Sequence, residues 1–132
     1  LDSKHVNIET LLAETIHAVQ DYLGMTDNGL SNLEFQEHVL KDLYNYYQYK
    51  FNGGEWKNFS LSSSDKYINT ITSFDDRGFL NINKFISNIG SCIDDFQRAF
   101  SANNSYQETK IKNFDYQWEY MLKLLGIPYN KL

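Results

Sequence analysis

At 132 residues, with 42% hydrophobic composition and a lone cysteine, the chain can bury roughly two-thirds of its unfolded surface and has no disulfide framework to rely on. Its net charge of −5, with the basic residues dispersed, lacks the positive footprint of a nucleic-acid binder. No apolar run approaches the roughly 18 residues of a membrane span, so the reading is one helical domain over 1–132 in a reducing, cytoplasmic setting; Leu1 in place of an initiator Met leaves a removed leader open.

Ten Tyr, nine Phe, abundant Asn and only two Arg suggest an AT-rich coding sequence, bacterial or phage. No internal repeat or low-complexity tract divides the chain, and helical periodicity dominates it. The first segment puts Ile8, Leu12, Thr15, Ile16, Val19 and Leu23 on one face, with Asn7 as N-cap and Gly24 as stop; Thr10, Glu14, His17 and Asp21 lie opposite.

The second helix opens at "SNLE", where Ser31 and Glu34 have capping-box spacing, and ends before Gly53 and Gly54. Its main apolar face is Leu33, Leu40, Leu43, Tyr44, Tyr47 and Phe51. In "SSSDKYINTITSFDDRGFLNI" the residues Tyr67, Ile68, Ile71 and Phe74 favour a short third helix, with a β-hairpin near 66–84 as the alternative and a turn at Asp75–Gly78 in either case. A fourth segment carries Ile82, Phe85, Ile86, Ile89, Ile93, Phe96 and Phe100 inward and Ser87, Ser91, Asp94, Asp95 and Arg98 outward. The last helix has a capping box at Ser105 and Glu108, a face of Ile111, Phe114, Trp118, Met121, Leu122 and Leu125, and stop signals at Gly126 and Pro128. The fold expected is an all-α, compact bundle of about five helices.

Local motifs give little chemistry. "DDRGFLNINKF" echoes the second half of an EF-hand loop, but Ser73, Arg77 and Lys84 fall at the first, fifth and twelfth ligand positions, where calcium needs oxygen donors and a bidentate carboxylate. Glu14 and His17 have the Glu-x-x-His spacing of di-iron bundles, and Glu34, Glu37 and His38 are carried on another helix. Because Glu14 and His17 lie opposite the apolar stripe and no second Glu-x-x-His exists, they read as a solvated polar face, with no metal and no cofactor. Cys92 reads as a small buried hydrophobe rather than a nucleophile, and Ser63 with Lys66 lacks the companion motifs of a Ser-x-x-Lys enzyme, so that serine cluster reads as an N-cap. The adjacent acids Asp75-Asp76 and Asp94-Asp95 point about 100° apart on a helix and read as surface charge.

The tyrosines are the unusual feature. Projection of the second helix at about 100° per residue leaves Tyr46 and Tyr49 opposite the core stripe, in a sector shared with Phe35, His38 and Asp42. Tyr116 and Tyr120 repeat that arrangement on the last helix, across from Trp118. Either these helices are covered on both sides or the surplus rings form a binding surface, since tyrosine adds apolar area and a polar tip at small entropic cost. The leading expectation is a non-enzymatic module of the immunity-protein or antitoxin type, docking a basic partner such as a nuclease toxin. Its expected contact residues are Asp42, Tyr46, Tyr49, Asp94, Asp95, Tyr116 and Tyr120. The alternatives are a small metal-binding bundle enzyme around Glu14, His17, Glu34 and His38, and a self-associating assembly protein or homodimer using the same aromatics.

Overall fold

Leu12, Ile16 and Val19 recur at helical spacing along α1 (Ile8–Tyr22), and that stripe seats the helix against its neighbour. The computed structural model describes residues 8–25, 30–56, 58–62, 64–99 and 115–131. Gly24 and Met25 end α1 as expected, by donating their N–H groups to the carbonyls of Asp21 and Gln20 in a Schellman pattern; Asn7 lies outside the described residues.

The long helix α2 (Leu30–Phe51) meets α1, α3 and α5, so its first half is covered on both sides. Phe35 and Val39 are fully buried alongside Leu40 and Leu43, and Asp42 is buried too. Helical projection sets the Phe35 side opposite the core stripe and leaves it either covered or exposed; packing of α1, α3 and α5 around this helix covers Phe35 and Val39. The expected capping box also differs, because α2 begins at Leu30 and Ser31 sits buried within its first turn, while the Glu34 carboxylate turns toward His17.

The ambiguous middle resolves to a helix, α3 (Asp65–Ile71), capped by Ser64, whose hydroxyl accepts from the Tyr67 N–H. The next turn is held by Asp75, whose Oδ1 accepts from the N–H groups of Arg77 and Phe79 at 2.9 and 3.0 Å, and it brings Phe74 opposite Leu80 in an antiparallel bridge. The same chain continues as β1 (Leu80–Asn81), paired in parallel with β2 (Tyr129–Asn130), so that Leu80 lies opposite Tyr129. Of the alternative hairpin near 66–84 only that antiparallel bridge is present, placed after the favoured helix rather than replacing it.

Gly78 sits at φ 85° within this turn, and a Cβ there would approach the Phe51 ring at 3.4 Å. A side chain at such φ costs about 1–2 kcal/mol through contact with its own backbone. Gly78→Ala is therefore expected to lower stability by about that amount, read as an earlier urea midpoint. An unchanged midpoint would contradict this turn conformation.

α4 (Ile82–Ile89), a 3₁₀ turn at Gly90–Cys92 and α5 (Ile93–Ala99) run on without a break. Ile82, Phe85, Ile89, Ile93 and Phe96 are buried as the spacing requires, but Ile86 is exposed, at the margin of the stripe; Phe100 lies outside the described residues. Cys92 is buried among these apolar side chains, where it packs as a small hydrophobe.

The last helix is α6 (Trp118–Leu124), stopped at Gly126 and Ile127 by N–H donation to the carbonyls of Lys123 and Leu122. Ser105, Glu108, Ile111 and Phe114 lie outside the described residues. Helix does not extend back through 115–117, where Gln117 takes φ 53° and the Asp115 carboxylate holds its N–H and side-chain amide at 3.0 and 3.2 Å. Counting α4 to α5 as one stretch, the described chain is an all-α bundle of five helices with one short strand pair. Ile16, Phe35, Leu40, Leu43, Tyr67, Phe85, Phe96 and Met121 belong to one contiguous apolar core.

Candidate functional site

Two side-chain assemblies on α2 could carry function: an aromatic surface on its second half and a charged cluster on its first half. The aromatic surface is completed by the segment after α2. Beyond Phe51 the chain reverses, with the Gly54 N–H returning to the Gln48 carbonyl at 2.8 Å, so the next segment runs back alongside the helix. It lays Trp56 beside Tyr49 and Tyr46, with ring centroids 5.2 and 5.9 Å away, and beside Phe59 at 4.8 Å. Phe74, after α3, touches Tyr46, Tyr47 and Phe51 at 5.7–5.9 Å.

Tyr46 is therefore half-buried within a continuous set of rings, whereas Tyr49 and Trp56 remain 44% and 40% exposed. Sequence reasoning missed Trp56 and Phe59. The available signal was an aromatic pair immediately after Gly53-Gly54, a turn that returns the chain toward the helix it leaves.

Asp42 does not join that surface. It is 2% exposed, and its carboxylate accepts from the N–H groups of Ser60 and Leu61 at 2.7 and 3.2 Å and from the Tyr67 hydroxyl at 2.6 Å. Burial pushes this carboxyl above the ordinary Asp range, against the opposing pull of those three donors. The Tyr67 phenol is pushed well up by its own burial and by the neighbouring Asp42. Asp42 is thus a staple joining α2 to the 60–67 segment, which corrects its expected role as a contact for a partner.

Tyr116 is likewise corrected. Residues 115–117 are not helical and α6 starts at Trp118, so the projection of Tyr116 and Tyr120 on one continuous helix fails; Tyr116 is buried, stacks on Trp118 at 5.1 Å and 17°, and meets Phe35 edge-on. Its hydroxyl donates to Asn32 Oδ1 at 2.7 Å, its carbonyl accepts from Gln36 Nε2, and burial pushes the phenol up. Tyr120 and Asp94 are exposed on α6 and α5, elements separate from the Tyr46 and Tyr49 surface; the Asp95 side chain lies outside the described part.

The charged cluster lies at the contact of α1 with α2. Glu14 stays exposed, as expected of a solvated face, but His17 is only 39% exposed because α2 packs beside it. His17 Nε2 lies 3.4 Å from Glu34 Oε1 and 3.6 Å from Glu37 Oε1. The other Glu37 oxygen faces His38 Nε2 at 3.8 Å and Lys41 Nζ at 3.6 Å. Glu37 raises the His17 pKa above its ordinary value against the opposing effect of burial, with Gln20 and Glu34 adding to the rise. For Glu37, burial works upward, but His17, His38 and Lys41 together hold the carboxyl below its usual range. Burial raises Glu34 and lowers His38.

No protein-family model matches this chain, and neither does any curated protein or solved structure. Among the described residues no helix is long and apolar enough to cross a membrane.

Proposed function

We propose that this protein is a non-enzymatic protein-binding module that docks a basic partner through Tyr46, Tyr49 and Trp56, in the manner of an immunity protein or antitoxin covering a nuclease toxin. The observation that carries this reading is the Tyr49 and Trp56 ring pair, 5.2 Å apart and each two-fifths exposed, on a base of Tyr46, Phe59 and Phe74. Rings held in place by neighbours lose little entropy on binding, and large aromatics are the side chains that dominate interface energy. The basic character of the partner rests on the net charge of −5, which would speed its encounter, rather than on Asp42.

The test begins with affinity capture from the source organism, continued by titration of the purified partner in two salt concentrations. Trp56→Ala and Tyr49→Ala are each expected to weaken binding by about 2 kcal/mol, roughly thirtyfold, with wild-type affinity falling as salt rises. Wild-type affinity in both variants, salt-independent binding or the absence of any partner would overturn the proposal.

A further inference from the structure

Among the described residues, His17, Glu34 and Glu37 form the group whose metal-ligating atoms converge, all lying within 4.8 Å of one another. Glu34 and Glu37, three apart on α2, share a helix face, and α1 delivers His17 between them. Bonds of about 2.0–2.2 Å at tetrahedral angles place ligand atoms about 3.3–3.6 Å apart. The observed separations, 3.4 and 3.6 Å from His17 Nε2 to the two carboxylates, already match the edges of such a tetrahedron.

The imidazole is also set in the tautomer a metal requires. Gln20 donates through Nε2 to the Leu33 carbonyl at 3.0 Å and to Gln36 Oε1 at 2.9 Å, which fixes its amide orientation. Its Oε1 must then accept, and it lies 2.9 Å from His17 Nδ1. The proton of neutral His17 therefore sits on Nδ1, and the Nε2 lone pair points at two carboxylate oxygens. That arrangement calls for a cation in the gap: a proton or a metal ion. The Glu37 side chain is only 8% exposed, and its Oε2 is engaged by Lys41 at 3.6 Å and His38 Nε2 at 3.8 Å. Lys41 draws Oε2 to one side, leaving Oε1 for the gap.

We propose that His17 Nε2, Glu34 and Glu37 bind one divalent first-row cation, zinc by preference, with a solvent water as the fourth ligand. Two carboxylates and a neutral imidazole cancel the charge of the ion, and nitrogen with two oxygens at tetrahedral spacing suits zinc better than magnesium or calcium, which favour oxygen ligands in larger number. The open position is supplied by the partial exposure of His17, through which water reaches the site. Gln20 acts as the outer partner that orients the ligating ring.

The experiment uses the full chain, stripped with a chelator and titrated with zinc chloride against a chromophoric competitor. One equivalent is expected to bind, with zinc–ligand distances of about 2.0–2.1 Å by X-ray absorption. His17→Ala and Glu34→Gln should each weaken binding by about tenfold or more, while Glu14→Gln, on the solvated side of α1, leaves it unchanged. Circular dichroism of each variant establishes that the helices persist, and the partly exposed His17 and Glu34 provide the test even where Glu37→Gln fails to fold. The absence of stoichiometric binding, retention of affinity in both His17→Ala and Glu34→Gln, or an equal loss in Glu14→Gln would overturn the site.

Discussion

Asp42→Ala is expected to destabilise the protein by about 3 kcal/mol or more, since it strands buried donors that a carboxylate now satisfies. The Ser60 and Leu61 N–H groups and the Tyr67 hydroxyl all converge on Asp42, and a methyl group in its place accepts from none of them. An exposed acid at a binding surface would instead cost within about 0.5 kcal/mol. Urea unfolding monitored by circular dichroism separates the two outcomes.

Two further variants apportion the effect. Tyr67→Phe removes one donor and leaves the carboxylate its two backbone partners, so a loss of about 1–2 kcal/mol is expected. Asp42→Asn keeps the shape but presents an NH₂ group where Ser60, Leu61 or Tyr67 must donate, and should fall between Tyr67→Phe and Asp42→Ala. The double variant Asp42→Ala with Tyr67→Phe should be less destabilised than the sum of its parts by about 1 kcal/mol, the coupling of a shared hydrogen bond. Additivity within experimental error, or a surface-sized loss for Asp42→Ala, would contradict the staple.

The same residue shows where a sequence is legible and where it is not. Periodicity finds helices because the apolar stripe of α4 and α5, Ile82, Phe85, Ile89, Ile93 and Phe96, is a local consequence of 3.6 residues per turn. Stops at Gly24 and Gly126 are legible for a similar reason: each is a backbone conformation that one residue supplies. Which face of α2 meets water is not local. It depends on the chain reversing after Gly54, so that the 59–61 segment covers Asp42 while Trp56 falls beside Tyr46 and Tyr49.

The charged cluster is half legible. Glu34 and Glu37 share a face by spacing alone, and spacing also sets His17 away from the Leu12 and Ile16 stripe, as the structure has it. A helix packed by several neighbours, as α2 is by α1, α3 and α5, has no simple outer face, however, and α2 lies against the His17 side of α1 closely enough to bring three potential ligands within 4.8 Å. The tautomer of His17 is beyond sequence reasoning altogether. It rests on Gln20 and Gln36 being buried at the same contact, two amides whose orientation only the assembled helices define.

Phe35→Ala should cost about 3–5 kcal/mol, the largest loss expected of an apolar truncation on α2. Its ring is fully buried and meets Phe96 of α5 and Tyr116 edge-on, each at 6.0 Å between centroids. Removing it opens a cavity whose walls are rings held by other contacts: Tyr116 stacks on Trp118 and is tied to Asn32, so it has little freedom to collapse inward. Phe35→Leu, which refills most of the volume, is expected to lose less than half as much. Tyr49→Ala, which removes a ring that is 44% exposed at the edge of the aromatic set, should fall within about 1 kcal/mol of wild type. The difference between Phe35 and Tyr49 tests the two-sided burial of α2 independently of any partner, because both lie on the sector that a one-stripe helix would expose. If Phe35→Ala and Tyr49→Ala unfold at the same urea concentration, α2 has a single buried stripe and the packing of α5 and the 115–118 segment against it is wrong. If Phe35→Ala alone is crippled, Tyr49 contributes little to stability, as the proposed binding surface requires.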